Sequence, residues 1–341
     1  MKRTEINELG EFGLIDLINS KNKTTQKSTV KSIGDDAAVI DNGGNDLILI
    51  STDSLIEGIH FDLSFSPLAH LGYKSVSVNV SDIAAMNGTP SQIVVSLSMS
   101  NRFSVEAVEE LYKGIFAACE DYNIDLVGGD TTASLSGLFI NVSVIGFVDR
   151  NKVSYRCNAK PNDIICVTGD LGAAFLGLKV LQREKEVFLS TQNQQPELEG
   201  FEYCIRRQLK PSARVDIIHD LAEQQIIPSS MIDVSDGLAS ELFHICKQSG
   251  VGAVILEENV PLDQSVYENL VAFNIQPMSA AFNGGEDYEL LFTISQEEYQ
   301  KIEKHPDIHA IGLIKNKEDG IFLLSKQGNK YPLEAQGWKH F

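Results

Sequence analysis

Aspartates recur at the ends of apolar runs or beside glycines: Asp35 and Asp36 in "SIGDDAAVI", Asp53 after "LILIST", Asp130 in "LVGGDTT", Asp233 and Asp236 in "IDVSDGL". Adjacent carboxylates next to a run that reads as a buried strand are costly unless something compensates them. In α/β folds ligands bind at strand ends. Any single aspartate more often makes a turn or caps a helix, but this many at strand ends favour a site. "LAHLGYKSVSVNVSDIAAM" is a helix apolar or small nearly all round, yet Ser75, Asn79 and Asp82 share one face, and a buried polar stripe needs partners. Carboxylate and hydroxyl oxygens suit hard cations of the Mg²⁺ type, which take one or two carboxylates each plus substrate phosphates. The 7 histidines form no H-x-x-H or H-E-x-x-H pattern, so transition metals fit less well.

An acidic cleft holding several Mg²⁺ ions has ATP as its natural ligand, because the metals bridge carboxylates and polyphosphate and neutralise charge during phosphoryl transfer. No G-x-x-x-x-G-K-[ST] loop is present. The phosphates are expected instead on backbone amides at "VGGDTT" or at the helix start "SDGLAS".

Elements must hold these residues in place. The 341 residues suffice for one large or two ordinary domains, and the net charge of −19 argues against nucleic acid and anionic membranes as partners. Five scattered cysteines without a C-x-x-C pair read as core thiols in a reducing compartment. No apolar run approaches the ~20 residues of a membrane span, and acids interrupt the apolar start of the chain, so a cytoplasmic protein is expected. "AAVIDNGGNDLILIST" predicts a hairpin turned at Gly43 and Gly44 with positive φ, and "SVEAVEELYKGIFAACEDY" a helix capped by Ser104. After the strand "LFINVSVIGFV", the polar stretch from Asp149 to Asp163 marks a domain boundary, giving domains 1–149 and 150–341, both α/β with mixed sheets.

"GDDAAV", "STDSLIEGIHF", "VNVSDIAAMNGTP", "LVGGDTT", "IDVSDGL", "GGEDYELLF" and "GWKHF", in this order, resemble the thiamine-monophosphate kinase family over essentially the whole chain. The resemblance implies a two-domain PurM-like α/β (α+β) fold. Its N-terminal mixed four-stranded sheet, with strands near Val39, Leu49, Val95 and Val144, would form a barrel across a homodimer. It also implies ATP-dependent phosphorylation of thiamine phosphate to thiamine diphosphate with several Mg²⁺ ions. Another ATP-using enzyme of the superfamily, acting on a different acceptor, is the alternative.

Residue by residue, the resemblance makes Asp36, Ser51, Thr52, Asp53, Asp82, Asp130, Asp233 and Asp236 metal ligands, with Asp36 compensated by Mg²⁺ rather than by a basic side chain. Tyr112, Gly129, Arg156 and Ser235 match ATP contacts; His60, Glu286 and Trp338 match thiamine-phosphate contacts. The family's "RSGAKPGD" reads "RCNAKPND" around Arg156. No general base stands out, as suits an acceptor phosphate whose second pKa is ~6. Direct in-line transfer by positioning and metal electrostatics is expected.

Overall fold

The computed structural model describes residues 5–191 and 195–334. The first sheet comprises β1 (Thr29–Lys31), β2 (Ala38–Asp41), β3 (Asp46–Ile56), β4 (Thr89–Met99), β5 (Asp125–Ala133) and β6 (Phe139–Asp149), in the order β1-β2-β3-β6-β4-β5, with apolar alternation in β3, β4 and β6. Only the β4/β5 pair is parallel. Leu47, Leu49 and Leu55 of β3 and Ile140, Val142 and Val144 of β6 point to the same side and are buried against helix α2 (Leu68–Ala85). Helix α3 (Val105–Tyr122), capped by the Ser104 hydroxyl, lies against α2. The two backbones come close because both contacts are glycines: a Cβ on Gly114 would sit 1.8 Å from the Ala69 carbonyl, and one on Gly72 2.0 Å from that of Leu111.

The second sheet has seven strands in the order β13-β12-β9-β11-β7-β10-β8. They are β7 (Ile164–Thr168), β8 (Ser230–Asp233), β9 (Gly252–Leu256), β10 (Leu290–Ile294), β11 (Ile308–Lys315), β12 (Ile321–Leu324) and β13 (Lys330–Pro332). Helices α4 (Ala173–Ser190), α5 (Glu202–Leu209), α6 (Val215–Glu223), α7 (Leu238–Ser249), three further α-helices and two 3₁₀ turns complete the described residues of this half. Ala84 and Ala85 of α2 share a core with Ile217, Leu221, Met231 and Leu290, so α2 is packed between the two sheets. That explains a helix apolar nearly all round.

The four strands read from the sequence form the centre of the first sheet, and β1 and β5 extend it to six. The hairpin turn needs positive φ at Gly43 (82°) but not at Gly44. Helix α1 (Ile6–Lys21), bent at Gly10, was not foreseen. Its acids masked the helical pattern.

Candidate active site

Helix α2 brings its polar residues to the middle of β3. The Asn79 Oδ1 accepts from the Asp53 amide at 2.8 Å, and the Asp82 Oδ2 accepts from the Ser51 hydroxyl at 2.5 Å. Ser75 instead donates to the Gly72 carbonyl of its own helix. Next to Asp82 in the helix, the Ser81 hydroxyl donates to Asp233 Oδ2 at 2.5 Å, joining α2 to the end of β8. Carboxylate oxygens of Asp36, Asp82 and Asp233 lie within 4.8 Å of one another, with Asp53 beside them.

Such crowding favours the protonated forms. Burial, then the charge of Asp36, raises Asp233 to about 7. Burial, then Asp53, Asp233 and Asp36, holds Asp82 well above the usual carboxylate range. Asp53 opens to the cleft, but desolvation by the cleft walls and the charge of Asp36 raise it too. The cluster forms the floor of a cleft of about 1510 Å³ between the two halves, also lined by Arg156, Ser235, Asp236, His60 and Glu286. His60 Nδ1 accepts from the Ile56 amide at 3.0 Å. Glu286 is held by Lys74 Nζ at 2.7 Å and Gln208 Nε2 at 2.6 Å.

Several expectations change here. Asp36 does have a basic partner: Arg156 donates from Nη2 to Oδ1 at 2.7 Å and from Nε to Oδ2 at 3.1 Å. Asp35 faces Lys31 at 3.0 Å and accepts from the Arg156 amide at 2.9 Å. Asp53 and Asp130 lie within β3 and β5 rather than at strand ends. Two of the "SDGLAS" amides expected to hold phosphate are taken: the buried Glu241 accepts from those of Ser235 (3.1 Å) and Asp236 (2.7 Å).

Thr52 turns away from the cluster by strand alternation, and its hydroxyl lies 2.8 Å from that of Ser143 on β6. Tyr112, Gly129 and Asp130 line a separate hollow of about 470 Å³ at the β5 edge. A Cβ on Gly129 would sit 1.9 Å from the Val95 carbonyl, so glycine there serves strand packing whatever else it touches. Trp338 lies outside the described residues. Sequence reasoning missed Lys74, Gln208 and Glu241. A lysine in an otherwise apolar helix was the available signal for the first.

Residues 34–148, which carry most of the first sheet together with α2 and α3, match the family model "AIR synthase related protein, N-terminal domain". Similarity then extends along the whole chain. It is 37% identical to the thiamine-monophosphate kinase of Aquifex aeolicus (98% of this chain, 99% of that one) and 33% identical to that of Bacillus subtilis (98% and 100%). A solved structure of AaThiL complexed with AMPPCP and TMP superposes with a TM-score of 0.83 at 34% identity, covering 100% of both chains. The chain belongs to the thiamine-monophosphate kinase family.

Proposed function

We propose that this protein transfers the γ-phosphoryl group of ATP to thiamine phosphate, giving thiamine diphosphate, in the cytoplasm. The observation that carries this reading is the Asp36–Asp82–Asp233 cluster on the floor of a cleft in a chain of this family. Its donors are oxygens throughout and closely spaced, and burial and crowding raise Asp82 and Asp233, which fits Mg²⁺. Asp36, Ser51, Asp53, Asp82, Asp233 and Asp236 would hold it, and bound Mg²⁺ supplies neutralisation of the phosphate charge.

The protein's own residues do the rest. Ser51 and Ser81 fix the rotamers of Asp82 and Asp233. Ser235 and Asp236, held from behind by Glu241, bind the nucleotide end of the cleft. His60, Glu286 and Trp338 bind the acceptor. An acceptor phosphate oxygen, with its second pKa of ~6, needs no base, so alignment is the chief task.

The site is proposed to be completed in a homodimer. Asp130 and Ser54 fall in one cross-strand row, Ser54–Asn141–Ser96–Asp130, on the sheet face away from α2, and Thr52 shares that face. Three strand spacings, about 14 Å, separate β3 from β5. One subunit therefore cannot bring Asp130, Gly129 and Tyr112 to its own cluster, and they would serve the partner's cleft. Ile48, Ile50, Ile145 and Phe147 supply an apolar face for that contact. Residues 1–149 then carry dimerisation and most metal ligands, and 150–341 the other cleft wall.

The test is ADP release from ATP and Mg²⁺ with and without thiamine phosphate. Stimulation by thiamine phosphate is expected. ADP release that thiamine phosphate leaves unchanged would point to another acceptor and overturn the reading.

A further inference from the structure

The stretch from Gly284 to Glu289 alternates between cleft and interior. Glu286 and Tyr288 line the cleft, while Asp287 and Glu289 are buried beneath it. Its backbone is left-handed at Gly285 (φ 71°), Glu286 (59°) and Tyr288 (52°). Residues with side chains seldom adopt that conformation unless their surroundings impose it.

The C-terminus of α5 imposes it. Arg207 Nη2 donates to the carbonyls of Asp287 (3.1 Å) and Asp170 (3.2 Å) and lies 3.0 Å from Glu289 Oε1. Glu289 is held from its other oxygen by Arg214 at 2.7 Å and the Thr168 hydroxyl at 2.6 Å, and the Gly172 amide holds Asp287 at 2.8 Å. The next residue, Gln208, reaches the other side of the same stretch. Its Nε2 donates to Glu286 Oε2 at 2.6 Å, while its carbonyl accepts from Lys74 Nζ at 3.2 Å, and that ammonium lies 2.7 Å from Glu286 Oε1. Each oxygen of Glu286 thus has one donor from the protein and a lone pair left for a ligand.

We infer that Arg207, Gln208 and Lys74 are positioning residues that hold the strained Glu286 ready for the acceptor, so that acceptor affinity is set by groups behind the binding surface. The inference rests on the proposed reading, in which Glu286 contacts thiamine phosphate. A carboxylate held by two donors and a fixed backbone has little rotamer freedom to lose when the ligand arrives.

Steady-state kinetics of the full-length protein test it. Gln208→Met keeps the volume and the backbone carbonyl but removes the donor to Glu286. It should raise KM for thiamine phosphate about tenfold, with KM for ATP unchanged within about twofold. Arg207→Lys keeps the charge but not the planar fork, and should move the same constant in the same direction. In a Glu286→Gln background, Gln208→Met should add almost nothing, because the two act as one unit. An unchanged KM for thiamine phosphate in a folded Gln208→Met protein, or full additivity with Glu286→Gln, would overturn the inference. A wild-type protein that thiamine phosphate does not stimulate would overturn the kinase reading, and the acceptor role of Glu286 with it.

Discussion

The guanidinium of Arg156 grips the carboxylate of Asp36 with two hydrogen bonds, Nη2 to Oδ1 and Nε to Oδ2. Asp36 belongs to the turn before β2, and Arg156 to the segment that leads from β6 into the second sheet. The pair therefore ties the second half of the chain to the acidic floor of the first. It also places one fixed positive charge beside a site that must accept cations.

Replacing Arg156 with Met leaves the fully buried side chain of Asp36 beside Asp82 and Asp233 without its basic partner. Breaking a buried pair from one side costs about 3–5 kcal/mol, and a bound cation can stand in for the lost one. Arg156→Met should therefore unfold at lower temperature than wild type without metal, and gain more than wild type from added Mg²⁺. Thermal unfolding with and without MgCl₂ measures both. Equal Mg²⁺ gains in the two proteins would mean that Asp36 does not take up the cation.

Buried acids whose protonated forms are favoured set the pH dependence of the metal-free protein. Asp233 and Asp287 are each raised to about 7, chiefly by burial. A carboxyl raised on folding stabilises the fold below its unfolded value and loses that contribution as pH rises through the folded one. His244, lowered to about 4 by burial and then by Arg156, acts in the opposite direction, but only below its ordinary value of ~6.5. Between pH 6.5 and 8 the melting temperature should fall, and Asp233→Asn should flatten the fall. A melting temperature that rises over this interval contradicts the assignment.

The sequence exposed the elements with strong periodicity and the acids at the site, because apolar alternation in β3 and β6 and the small-residue surface of α2 are local properties. It could not show how those elements face one another. Asp36 and Arg156 are separated by 120 positions, and nothing in "GDDAAV" reports a guanidinium arriving from the segment between β6 and β7. Thr52 and Asp53 adjoin in sequence, yet strand alternation sends them to opposite faces. In the sequence nothing distinguishes Glu241 from any polar residue of an amphipathic helix. Its part, holding the Ser235 and Asp236 amides, depends on a backbone turn that no pattern specifies.

Asp82 is crowded by Asp53, Asp233 and Asp36, so its charge costs stability that only a cation returns. Asp82→Asn keeps the shape and an oxygen for the Ser51 hydroxyl. Without metal it should melt at or above the wild-type temperature. Turnover should fall by more than about 100-fold, since losing even a group that supports a metal ligand costs about 10–100-fold. Near-normal turnover at limiting Mg²⁺ would remove Asp82 from the metal site.

A shared site predicts complementation between two inactive proteins. Asp53 faces α2 within its own subunit, whereas Asp130 lies on the opposite face of the sheet at the far edge. If each cleft takes its acidic floor from one subunit and its β5 edge from the other, Asp53→Asn and Asp130→Asn homodimers each have two damaged sites. A heterodimer of the two carries both defects in one site and none in the other. Mixing equal amounts under conditions that exchange subunits should therefore restore activity to about a quarter of wild type, because half the dimers are mixed and half their sites are intact. Light scattering should give about twice the 37.5 kDa of one chain for both variants. Mixed samples no more active than the mean of their components, from proteins shown to be dimeric and exchanging, would place Asp130 with its own subunit or outside the site altogether.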